Sequence, residues 1–211
     1  MKTNYDLYAY EKDLKSKGFN FIAGCDEAGR GPLFGPVVAA CCVLPEDFKL
    51  EGLTDSKQLT EKKREKYFEY LKENVIYGVG IVDNKEIDRI NIYEASRKAM
   101  MLALAEVRRQ VDVDYVLTDA MPLPDLDIPY MDIIKGDAKS ISIAAASVIA
   151  KVTRDHMMIE VDKKYPEYGF ASHKGYPTKK HIEKIEELGL IDGYRLTYAP
   201  IKNMIKKDGV L

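Results

Sequence analysis

Asp26, Glu27, Asp119 and Asp137 stand where apolar runs stop: the first two follow FIAGC, Asp119 follows YVLT and Asp137 follows IIKG. Each run reads as a strand, and the carboxyl ends of strands are where open α/β sheets bind ligands. Four carboxylates gathered at one such edge repel and desolvate one another. A hard divalent cation relieves that, because Mg²⁺ prefers oxygen ligands and keeps waters for chemistry. Two such ions about 4 Å apart activate a water and stabilise a leaving oxygen in phosphodiester cleavage. Ordinary structural readings stand beside this one. Asp137 suits the cap of the following helix, and Asp119 suits the start of a loop. Neighbours on a regular strand face opposite sides, so Asp26 and Glu27 share a site only if the strand ends between them; Ala28-Gly29 supplies the break.

Three further segments have the residue types of a nucleic-acid contact. Gly29-Arg30-Gly31-Pro32 is either a tight turn, where glycine supplies positive φ, or a bare backbone approached by a polynucleotide. In Asp55-Ser56-Lys57, Asp or Ser suits a helix cap, and Lys57 can reach a phosphate near the acids. Tyr176, in His173-Lys174-Gly175-Tyr176-Pro177, either packs on its own fold or stacks on a sugar or base. The glycine spacing is not a dinucleotide fingerprint, no phosphate-binding P-loop occurs, and no serine or cysteine triad suggests itself.

These residues need a sheet to hold them. Residues 20–26, 36–44 and 75–83 read as strands buried on both faces. Residues 115–118 and 130–134 read as two more. Residues 5–16 predict a short amphipathic helix, and Thr60 caps a helix through TEKKREKYFEYLKEN. Asn91–Arg109, Ser140–Lys163 and Thr178–Gly189 predict further helices, and a last one starts near Pro200. The loop 164–177 is rich in Tyr, Gly and Pro. Short connections make the early strands an antiparallel meander; alternation with helices makes the later ones parallel. The class is α/β: a mixed sheet flanked by helices. Residues 1–211 form one domain, with about 164–211 as a C-terminal helical appendage.

Hydrophobic residues make up 46% of the chain and the formal charge is −2, so a core is expected and a chain-wide basic coat is not. Residues 163–211 carry ten Lys/Arg against six Asp/Glu, and the remainder is net negative. That asymmetry suits a polyanion held against a metal-dependent acid cluster, although solvated helix faces produce it too. Cys25, Cys41 and Cys42 lie in apolar runs without a CxxC pair, which reads as buried thiols in a reducing compartment and no zinc site. The N-terminus is too charged for a signal peptide, and the uncharged stretch from Gly31 to Pro45 is too short to span a bilayer. A cytoplasmic protein is expected.

GCDEAGRGPLFGPVVAA closely resembles the first motif of bacterial ribonuclease HII. The resemblance continues, in order, through LTDSKQL, EIDRINIYEAS, VLTDA, IIKGDAKSISIAAASVIAKVTRD and YGFASHKGYPT, over roughly residues 20–200. It implies a ribonuclease H-like fold with a mixed five-stranded sheet and a C-terminal helical segment. It also implies hydrolysis of the RNA strand in RNA–DNA hybrids, and cutting on the 5′ side of ribonucleotides embedded in DNA to leave 3′-hydroxyl and 5′-phosphate ends. Carried over by position, Asp26, Glu27, Asp119 and Asp137 hold two Mg²⁺ or Mn²⁺ ions. Gly29, Arg30 and Gly31 read the ribose 2′-hydroxyl, and Tyr176 packs on the following deoxyribose. A monomer acting on hybrid or ribonucleotide-containing duplexes follows. Ribonuclease HIII fits less well, since it has an extra N-terminal domain and another residue where Arg30 stands. Where many relatives have an HRRSF-like segment, this chain reads Tyr194-Arg195-Leu196-Thr197-Tyr198, and only Arg195 keeps a charge there. IKNMIKKDGVL contains no recognisable sliding-clamp motif. Two other readings compete: a nuclease of the same fold acting on DNA, and a non-catalytic nucleic-acid-binding module, against which the intact acid set argues.

Overall fold

The computed structural model describes residues 6–54 and 56–207. Met1–Tyr5, Asp55 and residues 208–211 lie outside the described residues, and with them the capping role considered for Asp55 and the end of the C-terminal tail. Five strands form one mixed sheet: β1 (Ile22–Ala28), β2 (Val37–Val43), β3 (Ile76–Val82), β4 (Tyr115–Asp119) and β5 (Tyr130–Ile133), in the order β3-β2-β1-β4-β5. β1–β2 and β2–β3 pair antiparallel; β1–β4 and β4–β5 pair parallel. The meander and the parallel half therefore meet at β1, the strand that carries Asp26 and Glu27.

The helices are α1 (Ala9–Ser16), α2 (Glu61–Asn74), α3 (Asn84–Ile90), α4 (Ile92–Arg108), α5 (Ile141–Lys164), α6 (Phe170–His173), α7 (Lys179–Leu188) and α8 (Ile201–Lys207). Polar caps set several boundaries. The Thr60, Asn91, Ser140 and Thr178 side chains accept from the N–H groups of Lys63, of Tyr93 and Glu94, of Ile143 and of His181. Ser140, not Asp137, caps the long helix. The sequence reading missed α3, which Asp83 caps, and gave 164–177 as a loop although it contains α6.

Strand alternation divides the core between two layers. Cys25, Ala39 and Cys41 pack with Ala95, Ala99 and Ala103 of α4. Ala40 and Cys42 pack with Ala144, Ala145 and Val148 of α5. A β-carbon at Gly80 would land on the Ala99 carbonyl, and one at Gly24 on the Ser142 backbone, so glycine lets each helix sit directly on the sheet. β3 departs from expectation. It is an edge strand with Ile81 46% exposed, so it is not buried on both faces. A separate aromatic cluster of Phe34, Tyr168, Phe170 and Tyr194 docks the C-terminal helices onto the loop after β1.

The expectation of three free thiols is corrected. Cys25 and Cys41 form a disulfide, because the β1–β2 register sets them directly opposite each other. Cys42, on the other face, is a buried free thiol whose ionisation burial opposes. No helix among the described residues is long and apolar enough to cross a membrane.

Candidate active site

Asp26, Asp119 and Asp137 converge: each offers a carboxylate oxygen, and these oxygens lie within 4.8 Å of one another. Their placement follows from the sheet. The parallel ladder between β1 and β4 ends at Cys25 and Thr118, so Asp26 and Asp119 are the next residues on adjacent strands. Asp137 arrives from a 3₁₀ turn, Gly136–Ala138, just past β5. Lys135 takes a left-handed conformation (φ 59°) to make that turn, and the Gly136 N–H donates to Asp119 Oδ1 at 2.7 Å. The bare Gly136 fits because a β-carbon there would strike Ile143.

Contrary to the sequence reading, β1 does not end between the two neighbouring acids. It stays paired to β2 through Ala28, with Asp26 opposite Ala40 and Glu27 opposite Ala39. Glu27 is accordingly not one of the three converging acids. It flanks them, with Oε1 accepting from Arg30 Nη1 at 3.2 Å while Oε2 is buried with no partner. The Glu27 N–H donates to Asp26 Oδ1 at 2.7 Å.

Crowding shows in the protonation energetics. Burial holds the Asp26 carboxyl well above the usual carboxylate range, and the charges of Glu27 and Asp119 push it further, against a hydrogen bond from Ser147. Burial also raises Glu27, while Arg30 opposes the rise. Buried, mutually repelling oxygens with one unpartnered acceptor form a donor set suited to a hard divalent cation.

The expected substrate residues border the acids. Lys57 Nζ lies 3.7 Å from Asp137 Oδ2 on a largely exposed side chain. Gly29 has φ +97°, and a β-carbon there would collide with the Arg154 side chain. A β-carbon on Gly31 would sit 3.6 Å from Tyr176 Cε1, so the bare turn faces the ring and leaves the space between them open. Tyr176 is 38% exposed, with Lys151 Nζ 5.8 Å and Arg154 Cζ 5.9 Å from its ring centre.

Two arginines that sequence reasoning passed over or misjudged hold this turn. Arg195 is fully buried, so it is no surface contact for a phosphate. Its guanidinium donates to the carbonyls of Gly29 (2.6 Å), Arg30 (3.0 Å) and Gly35 (2.8 Å). Arg154 donates to the carbonyls of Pro36, Phe34 and Lys174. A planar five-donor fork suits such convergent carbonyls. The sequence signals for Arg154 are its place at the VTRD end of a quoted motif and in a helix whose first half is apolar all round.

The ribonuclease HII family model matches residues 23–199. The chain belongs to the ribonuclease HII family. Ribonuclease HII of Bacillus mycoides (strain KBAB4) is 54% identical over 203 residues, covering 96% of this chain and 78% of that protein. The Bacillus anthracis (strain CDC 684 / NRRL 3495) protein is 55% identical with the same coverage. The crystal structure of ribonuclease H2 from Pyrococcus horikoshii OT3 superposes with a TM-score of 0.74 at 30% identity, covering 89% of this chain and 98% of that one. Bst-RNase HIII in complex with Mn²⁺ shares the fold, with a TM-score of 0.68 at 19% identity over 92% of this chain and 72% of that one. The expected ribonuclease H-like fold is therefore present, and the chain is an enzyme of the nuclease class.

Proposed function

We propose that this protein hydrolyses the RNA strand of RNA–DNA hybrids and cuts on the 5′ side of ribonucleotides embedded in duplex DNA, leaving 3′-hydroxyl and 5′-phosphate ends. The observation that carries the reading is the convergence of Asp26, Asp119 and Asp137 beside a glycine turn that faces Tyr176. Asp26, Asp119 and Asp137, flanked by Glu27, would hold two divalent cations, Mg²⁺ or Mn²⁺. Such a pair supplies an activated water and stabilises the leaving oxygen.

The chain's own residues supply orientation and selection. Backbone N–H groups of Glu27 and Gly136 fix one oxygen each of Asp26 and Asp119. Lys57, beside Asp137, meets the incoming phosphate. A hybrid duplex is close to A-form and displays 2′-hydroxyls in a shallow minor groove. Gly29, Arg30 and Gly31 read the hydroxyl through backbone groups, which are insensitive to base identity. Tyr176 packs on the next sugar, where only a bare deoxyribose admits the ring. We also read residues 1–211 as one catalytic domain with an appendage from about 164, acting as a monomer in the cytoplasm, where such duplexes lie in a bacterium.

The test is incubation with Mg²⁺ and three labelled duplexes: one with a single ribonucleotide, one with an all-RNA strand, and one all DNA. A denaturing gel should show a cut 5′ of the lone ribonucleotide, cleavage within the RNA strand, and an intact all-DNA duplex. Cleavage of the all-DNA duplex, or of none, overturns the reading.

A further inference from the structure

His173 and His181 lie outside the acid site, yet both act on the backbone that carries Tyr176. Their rings stack, with centroids 4.0 Å apart and planes 14° from parallel. The Gly175 N–H donates to His173 Nδ1 at 3.1 Å. His173 Nε2 lies 2.8 Å from the Tyr168 carbonyl, which only accepts, so the proton of His173 sits on Nε2. The same logic places the proton of His181 on Nδ1, 2.9 Å from the Tyr176 carbonyl. His181 Nε2 then accepts from the Tyr194 hydroxyl at 2.9 Å. The partners dictate two different neutral tautomers, one on each side of the 175–176 segment.

We propose that His173 and His181 are positioning residues for Tyr176, and that protonation of His173 releases the ring and slows cutting at a single embedded ribonucleotide relative to an all-RNA strand. This rests on the proposed role of Tyr176 as the reader of the deoxyribose. The new proton on His173 enters at Nδ1, the atom that accepts from Gly175, so that hydrogen bond is lost. It also places a charge against the face of the His181 ring. The groups facing His173 are the Tyr168 carbonyl, the His181 ring and Asp162 of α5; those facing His181 are Tyr194, the Tyr176 carbonyl and His173. Asp162 is the sole carboxylate among them, and it is already engaged by the Ala171 N–H. Burial dominates in both cases and holds both rings neutral at pH 7, with His181 pushed down to about 4. His173 is half-buried whereas His181 is fully enclosed, so His173 is the ring that solvent reaches and takes the first proton.

Two measurements decide. Nitrogen-15 NMR of the imidazoles reads the tautomers directly; the chain has three histidines, and His156, exposed and paired with Glu65, is the internal reference. Single-turnover cleavage of the single-ribonucleotide and all-RNA duplexes is followed from pH 8 to 5.5. Titration of the acid site affects both substrates, so their rate ratio isolates the Tyr176 contribution. Wild type should show protons on His173 Nε2 and His181 Nδ1 at pH 8, and a ratio falling about tenfold, within the range for one lost stacking contact, as His173 protonates. His173→Asn keeps an acceptor for Gly175 and cannot titrate, so its ratio should stay flat. His181→Phe keeps the ring and loses both hydrogen bonds, so its ratio should be low at every pH. Swapped tautomers, a wild-type ratio that stays constant while NMR shows His173 protonated, or a pH-dependent ratio in His173→Asn each overturn the inference. Should His181→Phe not fold, the His173→Asn comparison decides alone. Tyr176→Ala separates the two levels: an unchanged ratio there sinks the reading of Tyr176 and the inference with it, whereas a lowered ratio beside a normal one in His181→Phe sinks the inference alone.

Discussion

At the scale of single residues, Asp26 bears the largest electrostatic load. It is buried among acids, and its carboxyl is raised by burial first and then by Glu27 and Asp119. A raised value means that the folded chain holds this proton more tightly than the unfolded chain. Stability from this group therefore falls as pH rises through the folded value. At pH 8 in EDTA, Asp26→Asn should melt above wild type, by roughly 2–4 °C for each kcal/mol of repulsion removed. Added Mg²⁺ or Mn²⁺ should raise the wild-type midpoint more than that of the variant, and hybrid cleavage should vanish while hybrid binding in Ca²⁺ persists. Near-normal turnover in the variant would remove Asp26 from the site. Tyr176 gives the complementary case, since its ring and not its hydroxyl faces Gly31. Tyr176→Ala should lose roughly 5- to 150-fold on the single-ribonucleotide duplex, the equivalent of about 1–3 kcal/mol of stacking. Tyr176→Phe should lose much less. A wild-type single-turnover rate in the alanine variant would make Tyr176 a structural residue.

At the scale of elements, the glycine turn after β1 depends on the segment before α8. Arg195 ties the carbonyls of Gly29, Arg30 and Gly35 to the interior, and the Tyr198 hydroxyl also donates to the Arg30 carbonyl. Lysine keeps the charge but cannot offer a planar fork to three acceptors. Arg195→Lys should cost roughly 2–5 kcal/mol, at about 1–3 kcal/mol for each buried carbonyl left unpaired. Among molecules that fold, cleavage of the single-ribonucleotide duplex should weaken chiefly through KM. A melting temperature and KM both equal to wild type would show that the turn holds itself.

At the scale of the whole molecule, two halves respond oppositely to acid. His173 and His181 have folded values below the ordinary one near 6.5, with burial the leading cause. The unfolded chain therefore binds more protons, and the stability these rings contribute is full above about pH 6.5 and lost as pH falls through their lowered values, about 4 for His181. The acid site changes in the other sense, because protonating Asp26 relieves its repulsion. Acidification should therefore loosen α7 and the aromatic cluster before the sheet. Hydrogen exchange from pH 7 to 4.5 should show amides of α7 losing protection ahead of those of β1 and β2. His181→Phe should flatten the difference, and simultaneous loss across both regions would contradict it.

Much of this was legible in the linear chain, for physical reasons. Strand cores and capped helices are local patterns of period and cap chemistry, so β1 to β5, α2, α4, α5 and α7 lay close to where periodicity placed them. The acids ending apolar runs announced a site because isolated buried carboxylates are costly. Strand direction followed from connection length, but register is not local. Only the β1–β2 register sets Cys25 opposite Cys41, and only the end of the β1–β4 ladder puts Asp26 beside Asp119 while β1 runs on through Glu27. The chain shows Arg195 as a surviving charge. Folding turns it inward, since a guanidinium goes where carbonyls converge, and those carbonyls come from residues about 160 positions earlier.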